Sequence, residues 1–98
     1  MYVVVQHRIK NRPLAFARGE KLVLNEGAPR GVRGLEFYPS RGGEFVTCVW
    51  EADSVEAVQR YVDKVLGDAS ENLCYEVNAE NAFAERPVVP KPPPPRRR

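Results

Sequence analysis

The chain has 98 residues, 43% of them hydrophobic, which is enough for one domain with a single apolar core. Its net charge of +2 conceals a division, because residues 1–86 hold 11 basic and 13 acidic side chains. The last twelve residues hold four basic ones, Lys91, Arg96, Arg97 and Arg98. A mildly acidic body argues against nucleic-acid binding, which needs a clustered basic face.

The two ends of the chain differ in composition. The N-terminal MYVVVQHRIK lacks the basic start of a signal peptide and the length of a membrane span, so we expect a cytoplasmic protein without a membrane contact. Residues 87–98, PVVPKPPPPRRR, contain six prolines and favour polyproline II. We therefore divide the chain into a domain, residues 1–86, and a proline-rich basic tail, residues 87–98.

The domain begins with a predicted strand and helix. Tyr2–Ile9 carries three consecutive valines, a pattern typical of a strand buried on both faces at the centre of a sheet. Asn11 and Pro13 are common at helix starts, and Leu14–Leu24 is the predicted helix. Gly19 lies in the middle of that helix and costs about 1 kcal/mol relative to alanine.

A hairpin follows. Arg33–Tyr38 alternates apolar and polar residues, and Phe45–Trp50 is rich in aromatic and β-branched residues, so both are predicted strands. Residues 39–43 between them include two glycines, which supply the backbone conformations that hairpin loops need.

The clearest pattern in the chain is the helix after this hairpin. Its apolar residues recur at helical spacing, namely Val55, Val58, Val62 and Val65. Asp53 and Glu56 have the spacing of a capping box at its start, and Gly67 is typical of its end. Residues 68–72 are then a predicted loop, Leu73–Asn78 a fourth strand, and residues 79–84 at most one helical turn.

The predicted order is therefore βαββαβ. With right-handed crossovers, this order favours a ferredoxin-like α+β sheet in which the strands lie in the order 4-1-3-2 and both helices cover one face. The first strand then lies in the middle of the sheet, as its valine run requires.

Alternation along the strands divides their residues between the two faces of the sheet. The predicted helix-facing residues are Val3, Val5, Leu35, Phe37, Phe45, Val49, Leu73, Tyr75 and Val77. The predicted opposite face holds Val4, Gln6, Arg8, Glu36, Tyr38, Val46, Cys48, Trp50, Cys74, Glu76 and Asn78. A patch that contains Trp50 would be unusual on a monomer, so we expect this face to meet a second copy in a homodimer and to enclose a small cavity.

The run VTCVWEADSVEAVQRYVDKVLG, with the preceding GLEFYPS and with His7 near the end of the first strand, resembles the dimeric α+β barrel superfamily. Within it, the chain is most similar to a group of small, poorly characterised bacterial ferredoxin-like proteins that includes a nickel-binding member. The resemblance implies the fold and the dimer. Because the superfamily includes cofactor-free monooxygenases, haem-degrading enzymes, polyketide cyclases and isomerases, it implies no single chemistry.

The candidate cavity residues are Gln6, Glu36, Tyr38, Cys48, Trp50 and Glu76. An aromatic wall with one or two carboxylates suits a planar, partly polar ligand. The alternative is that Trp50 packs in an interface and each glutamate forms a solvated ion pair.

The catalytic residues are unknown, and His7 and Glu76 are the weak candidates for a general base. His7 is the only histidine of the chain. Its alternative role is that of a half-exposed strand-end histidine with a backbone partner, and alternation places it on the helix side of the sheet.

The cysteines predict neither a disulfide nor a metal site. In the order 4-1-3-2, the strands of Cys48 and Cys74 are separated by the first strand, or by about 9.6 Å. A disulfide needs a separation below about 7 Å. One histidine and two cysteines without CxxC or HxxxH spacing supply too few ligands for a metal, so no metal and no cofactor is expected.

Three functions fit these patterns. The first is a small dimeric protein that binds a small-molecule ligand in a cavity between its sheets. The second is a cofactor-independent monooxygenase or isomerase that acts on an aromatic or polyketide-like substrate. The third is an interaction subunit that docks on a protein partner through residues 87–98, where Lys91, Arg96, Arg97 and Arg98 would contact an acidic surface.

Overall fold

The computed structural model describes residues 1–85 and 94–95, so most of the predicted tail, including its four basic residues, lies outside the described residues. The elements are β1 (Tyr2–Ile9), α1 (Arg12–Val23), β2 (Arg33–Pro39), β3 (Phe45–Glu51), α2 (Val55–Leu66) and β4 (Ser70–Glu76), with a 3-10 turn at Gly67–Ala69. The four strands form one antiparallel sheet in the order β2-β3-β1-β4. Read from the other edge, this is the predicted order, and the ferredoxin-like fold is confirmed.

The N-terminus of each helix is capped by a side-chain hydrogen bond. Asn11 caps α1 as predicted, because its side-chain oxygen accepts a hydrogen bond from the Leu14 N–H at 3.2 Å. The predicted cap of α2 was Asp53, and this is wrong. Ser54 is the cap, and its Oγ accepts from the Ala57 N–H at 3.1 Å. The helix begins at Val55, so only the residue immediately before it can reach the third amide of the first turn.

Both helices cover the same face of the sheet. The core on that face joins residues of β1 and β3 to residues of both helices, namely Val3, Val5, Cys48, Trp50, Leu22, Val58, Tyr61, Val62 and Leu66. Trp50 is 2% exposed and packs edge-on against the ring of Tyr61, with 5.7 Å between the ring centroids. The valine stripe of α2 therefore meets the apolar surface that its spacing predicted.

The predicted faces of β1 are confirmed, but those of β3 and β4 are wrong. Val3 pairs with Trp50, and Val5 pairs with Cys48 on one side and Cys74 on the other. Since directly paired residues point to the same face, Trp50 and both cysteines lie on the helix-covered face with the β1 valines. Phe45, Val49, Leu73 and Tyr75 lie on the opposite face, where Phe45 is 57% and Leu73 64% exposed.

The uncovered side of the sheet is called the open face below. It is formed by Tyr2, Val4, Gln6 and Arg8 of β1, Glu36 and Tyr38 of β2, Phe45, Thr47 and Val49 of β3, and Glu71, Leu73 and Tyr75 of β4. It holds four exposed large apolar or aromatic side chains of the described region, Tyr2, Phe45, Leu73 and Tyr75. A mixed face with an exposed apolar patch around Trp50 was predicted, but the exposed patch is formed by Tyr2, Phe45, Leu73 and Tyr75 instead.

The last strand also begins earlier than predicted. β4 starts at Ser70 and ends at Glu76, so the segment expected to be a loop supplies three strand residues, including Asn72. Residues 79–81 form a turn and no helix. Neither α1 nor α2, the helices of the described region, has the length and apolar character that crossing a membrane requires.

Candidate functional site

A pocket of about 210 Å³ lies between α1 and the covered face of the sheet. Its lining is formed by His7 and Ile9 of β1, Ala15, Phe16, Gly19, Glu20, Leu22 and Val23 of α1, Phe37 of β2, Val46 of β3 and Leu66 of α2. Among these lining residues of the described chain, only His7 and Glu20 are polar. The pocket is therefore an apolar space with two polar side chains, the composition expected of a small-molecule site.

The pocket exists because α1 presents short side chains to the sheet. Ala15 and Gly19 are one helical turn apart and both line the space. A Cβ built at Gly19 would meet no atom closer than Leu66 Cδ2 at 4.0 Å, so the gap lies directly in front of this glycine. Phe16 and Phe37 are partly exposed lining residues, so we infer that they stand at the mouth of the pocket.

His7 is the buried polar residue of this pocket. It lies on β1 opposite Val46 and Asn72, on the covered face, and is only 3% exposed. Its Nδ1 lies 2.7 Å from the side-chain oxygen of Asn72. Its Nε2 is fully buried and has no hydrogen-bond partner among the described residues. The predicted backbone partner for His7 is thus replaced by a side-chain amide from the neighbouring strand.

The amide of Asn72 is held in one orientation by Asp63, and it also hydrogen-bonds to Ser70. Its Nδ2 donates to Asp63 Oδ1 at 2.8 Å, and its Oδ1 accepts from Ser70 Oγ at 2.7 Å. A carboxylate only accepts hydrogen bonds, so the nitrogen of the amide must face Asp63 and the oxygen must face His7. An amide oxygen also only accepts, which requires that the proton of a neutral His7 ring sits on Nδ1.

Asp63 is itself anchored on α2. Gln59 donates to both carboxylate oxygens of Asp63, at 3.2 and 3.1 Å, and to the backbone oxygen of Asn72 at 3.0 Å. Asp63 is exposed, whereas His7 is buried. A continuous line of hydrogen bonds therefore runs from a surface carboxylate, through Asn72, to the histidine at the pocket.

Burial determines the protonation of this histidine. Loss of solvation lowers the pKa of His7, and the hydrogen bond to Asn72 and the charge of Asp63 oppose that shift more weakly. The ring is therefore neutral at pH 7, with Nδ1 protonated and Nε2 unprotonated. A neutral imidazole in this form can accept a hydrogen bond or remove a proton through Nε2.

The structure brings together only some of the six predicted cavity residues. Gln6, Glu36 and Tyr38 share the open face, where the Tyr38 hydroxyl donates to the Glu36 carboxylate. Cys48 and Trp50 lie in the core on the other face. Glu76 pairs with Val3 at the end of β4 and is exposed. Glu36 is exposed as well, so neither glutamate has the apolar surroundings in the single chain that would suit it as a base.

The two cysteines are free thiols on the covered face, one on each side of Val5. Burial raises the pKa of Cys48 to about 12 and that of Cys74 to about 11. A thiol with such a pKa carries almost no thiolate at pH 7, so both are weak nucleophiles and weak metal ligands. Among the described residues, no three His, Cys, Asp or Glu side chains converge as a metal site would require.

Sequence reasoning identified His7 but missed the residues that orient it. Ser70 and Asn72 fell in the segment predicted to be a loop, and Asp63 lies outside the apolar stripe from which α2 was predicted. Residues 70–72 are Ser, Glu and Asn, all polar, so alternation gave no signal of a strand there.

Comparisons with known proteins support the fold alone. No protein family model matches the chain, and no curated protein matches it. Among solved structures, the chain is similar to the crystal structure of SCO4226 from Streptomyces coelicolor A3(2). The two are 20% identical with a TM-score of 0.58, and the match covers 80% of this chain and 96% of that chain.

Proposed function

We propose that this chain binds a small, mainly apolar molecule in the pocket between α1 and the sheet. One observation carries the proposal: a buried histidine with an unpartnered ring nitrogen lines an otherwise apolar space. A buried polar atom without a partner costs about 1–3 kcal/mol, which a ligand that supplies the partner would recover.

The size of the pocket limits the ligand. An apolar cavity of about 150 Å³ is known to hold benzene. The present pocket, at about 210 Å³, has room for one substituted ring. A larger molecule would have to extend past Phe16 and Phe37 into solvent.

Titration of the ¹⁵N-labelled protein with toluene tests this binding. We expect shifts of the amide signals of Phe16 and Gly19 that saturate with one dissociation constant. Gly19→Leu fills the pocket and should abolish the shifts. Ala17→Leu places the same side chain on an exposed position of the same helix and should leave them unchanged. Toluene binding that survives Gly19→Leu would rule out this pocket as the site.

A second candidate function is a cofactor-independent enzyme, an isomerase or a monooxygenase that begins by removing a proton from an aromatic or polyketide-like substrate. The observation that favours it is the neutral His7 ring, whose Nε2 is available as a general base. Turnover of such a substrate should fall at least about 100-fold in His7→Phe. Turnover that is unchanged in this variant would exclude His7 as the base.

The homodimer is a separate proposal, and it is supported by the open face. Exposed Tyr2, Phe45, Leu73 and Tyr75 on one side of a sheet form a patch typical of interfaces between copies. The pocket under α1 lies on the other side, so it does not depend on the dimer. A second cavity between the paired open faces, near Gln6, Glu36 and Tyr38, stays a prediction.

Native mass spectrometry of two matched variants tests the dimer. Leu73→Lys adds a charge to the open face and should give monomers. Leu14→Lys makes the same change at an exposed leucine of α1 and should leave the dimer intact. A monomeric wild-type protein at micromolar concentration would contradict the proposal and leave the ligand pocket untouched.

The interaction subunit remains an alternative. Deleting residues 87–98 should then abolish co-purification with a partner while the domain stays folded. The narrower resemblance to a bacterial group with a nickel-binding member and the cytoplasmic location also stay predictions.

A further inference from the structure

We propose that the ligand of the α1 pocket carries a hydroxyl group on an unsaturated carbon, a phenol or an enol, and that this hydroxyl donates a hydrogen bond to His7 Nε2. Asn72 is the positioning residue that keeps this nitrogen unprotonated. The assignment rests on the ligand-binding function proposed above and names the chemical class of that ligand.

The proton of the neutral His7 ring is located by the hydrogen bond to Asn72. Asn72 Oδ1 accepts from His7 Nδ1 at 2.7 Å. Asp63 prevents the amide from turning over, because its carboxylate accepts hydrogen bonds only and therefore needs the NH₂ end of Asn72. The Nδ1 position therefore keeps the proton, and Nε2 presents a lone pair.

The direction of the Nε2 lone pair follows from the position of Asn72. Nδ1 is turned toward β4, where Asn72 lies, and His7 also lines the pocket, whose walls are α1, β2, β3 and the end of α2. The two ring nitrogens point in different directions, so we infer that Nε2 is turned away from β4 and toward the pocket. It is buried and has no partner among the described residues.

The ligand group that fits this lone pair is an uncharged hydrogen-bond donor. A carbonyl oxygen would place a second lone pair against Nε2, and a carboxylate would bring a charge into an apolar space, where charges are strongly disfavoured. An aliphatic alcohol could donate, but a phenol or an enol is the stronger donor and also offers a flat apolar body. The small pocket and its phenylalanine side chains suit a flat ring.

The tautomer can be measured directly, because His7 is the only histidine of the chain. In the full-length protein labelled with ¹⁵N-histidine, we expect a protonated, pyrrole-like Nδ1 signal and an unprotonated, pyridine-like Nε2 signal at pH 7.5. Asn72→Leu should mix the two tautomers. Asn81→Leu, which changes an exposed asparagine beyond β4, should not. A pyrrole-like Nε2 signal in the wild-type protein would overturn the proposal.

Ligand choice is measured with p-cresol and toluene, which differ only in the hydroxyl group. Replacing His7 with phenylalanine should weaken p-cresol binding relative to toluene binding by on the order of 10–100-fold, as expected for the loss of a buried hydrogen bond. This ratio cancels the different costs of transferring the two probes from water. Folding of His7→Phe is checked by its amide spectrum. The wild-type tautomer measurement stands independently of any variant.

The outcomes separate the two proposals. If both probes bind and the ratio does not change in His7→Phe, the hydroxyl assignment is overturned while the binding function stands. If neither probe binds the wild-type protein, the binding function is overturned together with the assignment. A pyridine-like Nε2 and a changed ratio together support the assignment.

Discussion

The two helices have the same length and lie on the same face of the sheet, yet they cover it differently. Each has 12 residues, but α2 buries Val58, Tyr61, Val62 and Leu66, whereas α1 buries only Ala15 and Leu22. The bulky residues of α2 fill the space against the sheet, and the short residues of α1 leave a pocket. In this chain α2 therefore contributes more buried apolar surface than α1, and the candidate site lies beneath α1.

The largest expected difference between the two helices is in the stability that is lost when one valine is shortened to alanine. Val62→Ala in α2 removes two methyl groups from a fully buried position and should lower the free energy of unfolding by about 2–3 kcal/mol. Val23→Ala makes the same change at a half-buried position of α1 and should cost less than about 1 kcal/mol. Urea denaturation measures both. Equal losses would show that the two helices contribute alike.

The helix caps should behave the same way in both helices. Ser54→Ala and Asn11→Ala each remove one side-chain acceptor from a helix start, and each should cost about 1 kcal/mol of unfolding free energy. Asp53→Ala should change it by less than about 0.5 kcal/mol, because Asp53 lies one residue before the cap. A larger loss for Asp53→Ala than for Ser54→Ala would show that Asp53, as the sequence predicted, is the cap of α2.

A change in the opposite direction is expected at Gly19. Alanine there should raise the free energy of unfolding by about 0.5–1 kcal/mol, because the helix interior disfavours glycine and the pocket accepts a methyl group. Gly67→Ala is the matched control and should destabilise, since Gly67 has a φ of +56°. Thermal unfolding of the two variants should therefore shift in opposite directions. A destabilised Gly19→Ala would mean that the space in front of Gly19 is closed.

The gentlest perturbation is a change of pH. Burial lowers the folded-state pKa of His7 below its usual 6.5, so between these two values the unfolded chain binds more protons than the folded one. The contribution of His7 to stability is therefore fully present above about pH 6.5 and is lost as the pH falls through the lowered pKa. The urea midpoint of the wild type should fall across this window more steeply than that of His7→Phe. Parallel curves would contradict a neutral buried ring.

The order of the elements, the arrangement of the sheet and the position of His7 could all be predicted from the sequence. These features depend on local patterns: the valine run of β1, the stripe of α2, the cap at Asn11 and the short hairpin loop between β2 and β3. Connection lengths and the right-handed crossover then leave few topologies, so local information was enough for the global fold.

The face that each residue of β3 and β4 takes depends on contacts between distant parts of the chain. β3 carries apolar residues at odd positions, Phe45 and Val49, and at even positions, Val46 and Trp50. Alternation alone therefore could not show which set faces the helices. The choice is made by pairing with β1, which joins Val3 to Trp50 and is reinforced where Trp50 packs on Tyr61.

The candidate site was decided by the same long-range pairing. The hydrogen-bonded line from His7 joins it to Asn72 of β4, 65 positions away, and through Asn72 to Asp63 of α2, 56 positions away. No local pattern reports such a distance. A side chain acquires a partner across the sheet only when the register of two strands places both on the same face.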